Sequence, residues 1–145
     1  MTPMSSRGST VLILSTDAVT SALLSILVEL EGFRPVFVRG DETPAESVSR
    51  LRPKLLLVDF EHRTACTDDL FDLARELSTK VVVFSPGRMS YDAQEFVEAR
   101  QLRWFALPID RATLARTLHS ASLAALIPFA VLASFPFAVL ASLAR

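Results

Sequence analysis

The chain has 145 residues, half of them hydrophobic and 21% charged, which supplies a core and excludes disorder by composition. Its 15 Lys and Arg against 16 Asp and Glu leave a net charge of −1, so no bulk electrostatic drive toward nucleic acid exists. A single cysteine, Cys66, excludes an intrachain disulfide framework and suits a reducing compartment, and two histidines argue against a zinc cluster.

Charge is unevenly spread. From Ser120 to Ala144 there is no Asp, Glu, Lys, Arg or His. The sequence therefore divides into a loose polar N-terminus at 1–9, a charged domain at 10–120, and an apolar tail at 121–145. No apolar stretch precedes a cleavage site in MTPMSSRGST, so a signal peptide is not expected and the domain is expected in the cytoplasm.

Thr10–Leu14 (TVLIL) is a run of branched apolar residues, predicted as a strand buried on both faces. Ser15-Thr16-Asp17 supplies helix-capping side chains. Ala18–Glu31 then sets Val19, Leu23, Ile26, Leu27 and Leu30 at helical spacing, and Gly32 stops the helix. Phe33–Val38 is an edge strand, because Pro35 cannot donate to a ladder. Thr43-Pro44 with Glu46 opens a helix that runs to about Leu51 and ends before Pro53. Lys54–Val58 is the next buried strand and ends at Asp59.

Thr67-Asp68-Asp69 caps a helix carrying Leu70, Phe71, Leu73, Ala74 and Leu77. Lys80–Phe84 (KVVVF) is a strand closed by Ser85-Pro86-Gly87. Tyr91–Gln101 is a short helix with Phe96, Val97 and Ala99 facing inward, and Leu102–Leu107 is a strand closed by Pro108. A last helix starts at Arg111, with Leu114, Ala115 and Leu118 as its apolar stripe. Strict alternation of strand and helix with short loops predicts an α/β doubly wound parallel sheet with helices on both faces. Function in such sheets sits at the carboxyl ends of the strands, here Ser15-Thr16-Asp17, Asp59, Ser85 and Leu107-Pro108.

The run RPKLLLVD, the run VVVFS and a fifth strand ending at proline give Thr10–Ser120 a pattern that resembles the receiver domain of bacterial response regulators. The resemblance implies a five-stranded sheet in the flavodoxin-like order 2-1-3-4-5. It also implies a phosphoryl acceptor at Asp59, a hydroxyl partner at Ser85, an aromatic switch residue at Trp104, and a cis peptide before Pro108. The acidic pair that holds magnesium in receivers falls on Ser15-Thr16, and the lysine that pairs with the phosphoryl group falls on Leu107. The segment after the acceptor is FEHRTACTDD in place of the family's proline-and-glycine loop.

A carboxylate attacking an anionic phosphoryl donor needs cations to offset repulsion. Magnesium takes hard oxygen ligands, one or two of them carboxylates. Asp59 with two hydroxyls, and Asp17 as a substitute acid, makes a poor site. The expected member is thus an atypical pseudo-receiver, with Asp59 a leftover carboxylate hydrogen-bonded to loop N–H groups or Ser85, Asp17 an acid on the helix dipole, and no catalytic residue. His62 and Cys66 share a loop without further ligand partners, and no glycine-rich nucleotide cradle occurs.

The tail (Ser122–Ala144) carries a tandem octapeptide, PFAVLASF at 128–135 and PFAVLASL at 136–143. It is long enough to span a bilayer, yet Ala and Ser dominate it and Pro128 and Pro136 interrupt it. Membrane contact and packing on protein are both open. The function expected is a non-enzymatic signalling module that acts by protein–protein contact without cofactor. The alternative is a working phosphoacceptor using Asp59 with magnesium. The expected partner surface, for another protein or a second copy, is the fourth helix, fifth strand and fifth helix, carrying Arg100, Arg103, Arg111 and Arg116 with Glu95, Glu98 and Asp110.

Overall fold

The computed structural model describes residues 9–62 and 65–124, with side chains through Ser120; the N-terminal eight residues and the octapeptide tail lie outside the described residues. Ten elements alternate without exception: β1 (Thr10–Leu14), α1 (Ala18–Leu30), β2 (Arg34–Val36), α2 (Pro44–Leu51), β3 (Leu55–Asp59), α3 (Asp68–Glu76), β4 (Lys80–Ser85), α4 (Tyr91–Ala99), β5 (Arg103–Ala106) and α5 (Arg111–Ala124). The five strands form one parallel sheet in the order β2-β1-β3-β4-β5, as the resemblance implied.

Strand alternation divides the core between the two faces. Val11, Ile13, Leu55, Leu57, Val82, Phe84 and Phe105 face α1 and α5, where Leu24, Val28, Leu114 and Leu118 meet them. Leu12, Leu14, Leu56 and Val58 face the other way, against Val48 of α2 and Leu70 and Phe71 of α3. Val83 meets Ala93 and Val97 of α4 on that same side. β3 is buried along its whole length, as a central parallel strand must be. The strand at the edge, β2, is shorter than its apolar run suggested: it pairs with β1 over three residues, with Pro35 at the centre opposite Val11.

Local signals place the helix ends. The Asp17 carboxylate accepts from the backbone of α1 and caps it. Thr43 and Glu46 form a reciprocal capping box on α2. Gly32 follows α1 with φ of 88°, the left-handed stop expected of it. The chain turns the same way after α2, α3 and α4, but on Arg52, Ser78 and Gln101, with φ of 45°, 59° and 54°. An L side chain in that region costs roughly 1–2 kcal/mol. Gln101→Gly is therefore expected to stabilise the fold by about 0.5–1 kcal/mol, measured as a higher urea midpoint.

Two helices orient differently from their predicted stripes. On α1 the core face is Thr20, Leu24 and Val28, while Val19, Leu23, Ile26 and Leu30 are exposed and Leu27 is half-buried. On α4, Ala99 is exposed and Ala93 takes the inward position with Val97. Both helices offer two apolar sets at helical spacing, and the sheet's position decides which set is covered.

Glu42 ties the loop before α2 to the helix. It accepts two hydrogen bonds from Arg50 at 2.8 Å and one from the Ser47 hydroxyl. The Arg50 guanidinium first, then Ser47, depress its pKa from 4.5 to about 2. A depressed carboxylate stabilises the fold above its ordinary pKa and loses that contribution as pH falls through the folded value. The melting temperature is thus expected to drop between pH 4.5 and about 2, and to drop less steeply in Arg50→Gln.

Candidate functional site

Strand register assembles the polar end of the sheet. β1 and β3 are neighbours with Leu14 opposite Val58, so the next residue on each, Ser15 and Asp59, come side by side. The Ser15 hydroxyl donates to Asp59 Oδ2 at 3.0 Å. The Glu61 N–H donates to Asp59 Oδ1 at 2.9 Å. Each carboxylate oxygen of Asp59 thus has a neutral donor, and the residue is 1% exposed. Among the described residues Asp59 has no ion pair. Of the two expected alternatives, loop N–H groups or Ser85, the loop N–H is present, and Ser15 supplies the hydroxyl.

Asp17 is used at the start of α1. Its carboxylate accepts from the N–H groups of Val19 and Thr20, at 3.4 Å and 3.2 Å, and from the Thr20 hydroxyl. Those bonds, the Thr20 hydroxyl foremost, hold its pKa below the usual carboxylate range. Its backbone N–H donates to Ser15 Oγ at 3.2 Å, so the Ser15 hydroxyl links the helix cap to Asp59. Among the described residues, no group of three or more His, Cys, Asp or Glu side chains is placed to hold a metal ion.

Leu107 follows β5 and is buried with Phe84, Phe105, Leu114 and Leu118. Its N–H donates to the Ser85 carbonyl at 2.9 Å, and the Leu107–Pro108 peptide is cis. An apolar side chain therefore belongs to the core where the receiver pattern has a lysine. Ser85 is buried at the end of β4. Trp104 pairs with Val83, two residues before Ser85, and its side chain is 43% exposed. In the loop after β3, the Cys66 thiol lies 3.4 Å from the Asp59 carbonyl, and His62 Nδ1 is buried without a partner among the described residues.

The arginines expected on a partner surface are partly engaged within the chain. Arg100 donates to Asp68 of α3 at 2.9 Å and lies 4.0 Å from the centre of the Phe96 ring. Arg111 donates to Glu31 at 3.0 Å. Arg103 donates to the Ser120 hydroxyl and Arg116 to the Thr113 hydroxyl. Phe96 also meets Phe60 and Phe71 edge-on at 5.4 and 5.7 Å, which fixes α4 against β3 and α3.

Comparison with solved structures gives the same topology. The signal receiver domain of a modulated diguanylate cyclase from Desulfovibrio desulfuricans G20 matches at a TM-score of 0.64 and 22% identity, over 81% of this chain and 95% of that one. A response regulator from Thermotoga maritima matches at 0.61 and 20% identity, over 79% and 98%. A CheY-like receiver domain protein from Methanospirillum hungatei JF-1 matches at 0.61 and 16% identity, over 81% and 96%. The chain has the receiver fold. No family model and no curated protein matches the sequence. In this receiver fold Asp59 occupies the end of the third strand, Ser15 stands beside it after β1, and Leu107 follows β5, two strands away across β4. Among the described residues, no helix is long and apolar enough to cross a membrane.

Proposed function

We propose that this chain is a pseudo-receiver: a signalling module that works by protein–protein contact and does not undergo standard magnesium-dependent phosphorylation at Asp59. The observation that carries this reading is the satisfied carboxylate. Asp59 is buried, with one oxygen on the Ser15 hydroxyl and the other on the Glu61 N–H. Attack on a phosphoryl donor would require breaking those bonds and bringing two negative groups together. The positions where the receiver pattern has its acidic pair and its lysine supply hydroxyls at Ser15 and Thr16 and an alkyl group at Leu107, none of which offsets that repulsion. Asp17, the one acid in the first loop, is spent on capping α1.

What remains for such a module is its surface. The side formed by α4, β5 and α5 presents Trp104, Glu95, Glu98 and Arg116 to solvent. An exposed tryptophan among charges of both signs suits a polar, specific protein interface. A regulatory partner, rather than nucleic acid, is the expected ligand of a chain with net charge −1.

The test is incubation of the full chain with a small acyl phosphate donor and millimolar magnesium, followed by phosphate-affinity electrophoresis. No retarded band is expected, and magnesium alone is expected to leave the melting temperature unchanged, since a ligand stabilises only through affinity for the folded state. A retarded band that is lost in Asp59→Ala would establish the alternative, a phosphoacceptor with magnesium held at Asp59 and Asp17. Saturable stabilisation by magnesium, lost in Asp59→Asn, would point the same way.

A further inference from the structure

Helix α1 carries a second apolar face that the described residues leave exposed. Val19, Leu23, Ile26 and Leu30 are 76%, 48%, 56% and 54% exposed. Their spacing of four, three and four residues aligns them in one stripe along the helix. Between Ala18 and Val28 the helix has no charged residue. Scattered exposed apolar side chains are ordinary, but four large ones aligned along a helix that carries no charge before Glu29 mark a contact surface.

We propose that this stripe is the docking site for the chain's own apolar segment after α5, residues 125–144. Three observations favour that occupant. The first is position. α5 packs beside α1, with His119 against Phe33 at 5.2 Å and Arg111 donating to Glu31. Glu31 and Phe33 immediately follow Leu30, so the chain leaves α5 on the helix adjacent to the stripe. The second is reach. The stripe from Val19 to Leu30 spans roughly 16 Å at 1.5 Å per residue. The chain after Ala124 spans up to about 70 Å when extended, and Pro128 provides an early break from the direction of α5.

The third is chemistry. Residues 120–144 contain no charge, and neither does the stripe, so their contact desolvates no ion on either side. A second copy is the weaker occupant. Four side chains on one helix make a strip much narrower than the roughly 1,600 Å² total burial of a standard stable interface. A tethered segment also meets the stripe at an effective concentration of order millimolar, whatever the protein concentration. The docked segment would close the α1 side of the domain and leave the α4 side open to partners.

The test uses the full chain with Cys66→Ala and a cysteine at Ile26, alkylated at low micromolar protein without lipid. A cysteine at exposed Asp69 is the reference. Position 26 is expected to react at least tenfold more slowly than position 69, independent of protein concentration. Adding Val131→Lys and Val139→Lys should restore the reference rate. In a second measurement, cysteines placed singly at Leu126, Val131, Phe135 or Val139 are paired with the one at position 26. At least one pair is expected to form an intrachain disulfide in the monomer. Labelling of position 26 at the reference rate would overturn the proposal. Protection that grows with protein concentration would assign the stripe to a second copy. Protection that needs phosphatidylcholine–phosphatidylglycerol vesicles would assign it to a lipid surface.

Discussion

Leu107→Lys is expected to destabilise the domain by about 2–4 kcal/mol, read from urea unfolding. Leu107 sits among Phe84, Phe105, Leu114 and Leu118, so the substitution removes apolar packing and sets an ammonium at the edge of the core. Burial without a partner would push the lysine pKa down. The acid at the same end of the sheet is Asp59, two strands away across β4, whose oxygens already have donors. A double-mutant cycle with Asp59→Asn separates the two outcomes. Additive losses mean that the lysine finds no carboxylate. A neutral single variant with strong coupling to Asp59 would mean that Ser15 yields its bond and a receiver-like ion pair forms, which would weaken the pseudo-receiver reading.

The second large effect is expected beneath the site. Phe84→Ala should cost about 3–5 kcal/mol, the usual loss for a large aromatic in a closed core. Phe84 is fully buried, stacks on Phe105 with ring centres 5.7 Å apart, and pairs in register with Asp59. Its carbonyl accepts the Phe60 N–H at 2.9 Å, so the cavity would open directly under the Asp59 loop. A fall in melting temperature on the order of 15 °C is expected in calorimetry, against little change for the exposed Glu98→Ala. A loss below about 1 kcal/mol would show that the sheet collapses into the space.

The sheet was legible in the sequence because parallel strands are covered on both faces and their runs stay apolar without interruption. TVLIL, LLLV and VVVF therefore announce themselves. Capping side chains at Asp17, Thr43 and Thr67, and Gly32, located helix ends within a residue or so. The orientation of α1 was not legible. Val19, Leu23, Ile26 and Leu30 have the same helical spacing as Thr20, Leu24 and Val28, and the larger side chains form the outer set. Periodicity identifies stripes and cannot say which one meets the sheet.

At the site, Asp59, Leu107 and Pro108 fell at their strand ends, while the part played by Ser15 was missed. The signal existed. A sheet order of 2-1-3-4-5 makes β1 and β3 neighbours, so the residue after TVLIL must stand beside the acid after LLLV. Reading Ser15 as a helix-capping side chain and as the uncharged counterpart of a magnesium ligand left out its value as a hydroxyl donor to Asp59.

The edge-on contacts of Phe96 with Phe60 and Phe71 bear on how the module could carry information. An output carried by α4 would need two populated positions of that helix. Moving this helix breaks both ring contacts, worth about 0.5–1.5 kcal/mol each beyond area burial. It also breaks the partly exposed Arg100–Asp68 pair, which contributes little by itself. Displacing α4 would also uncover Ala93 and Val97, so any second position lies higher still in free energy. Among the described residues, Asp59 is fastened by neutral donors and supplies no charge change to tip that balance. A binding partner would have to select the rare position through its own differential affinity, and the signal would be set by how much partner is present.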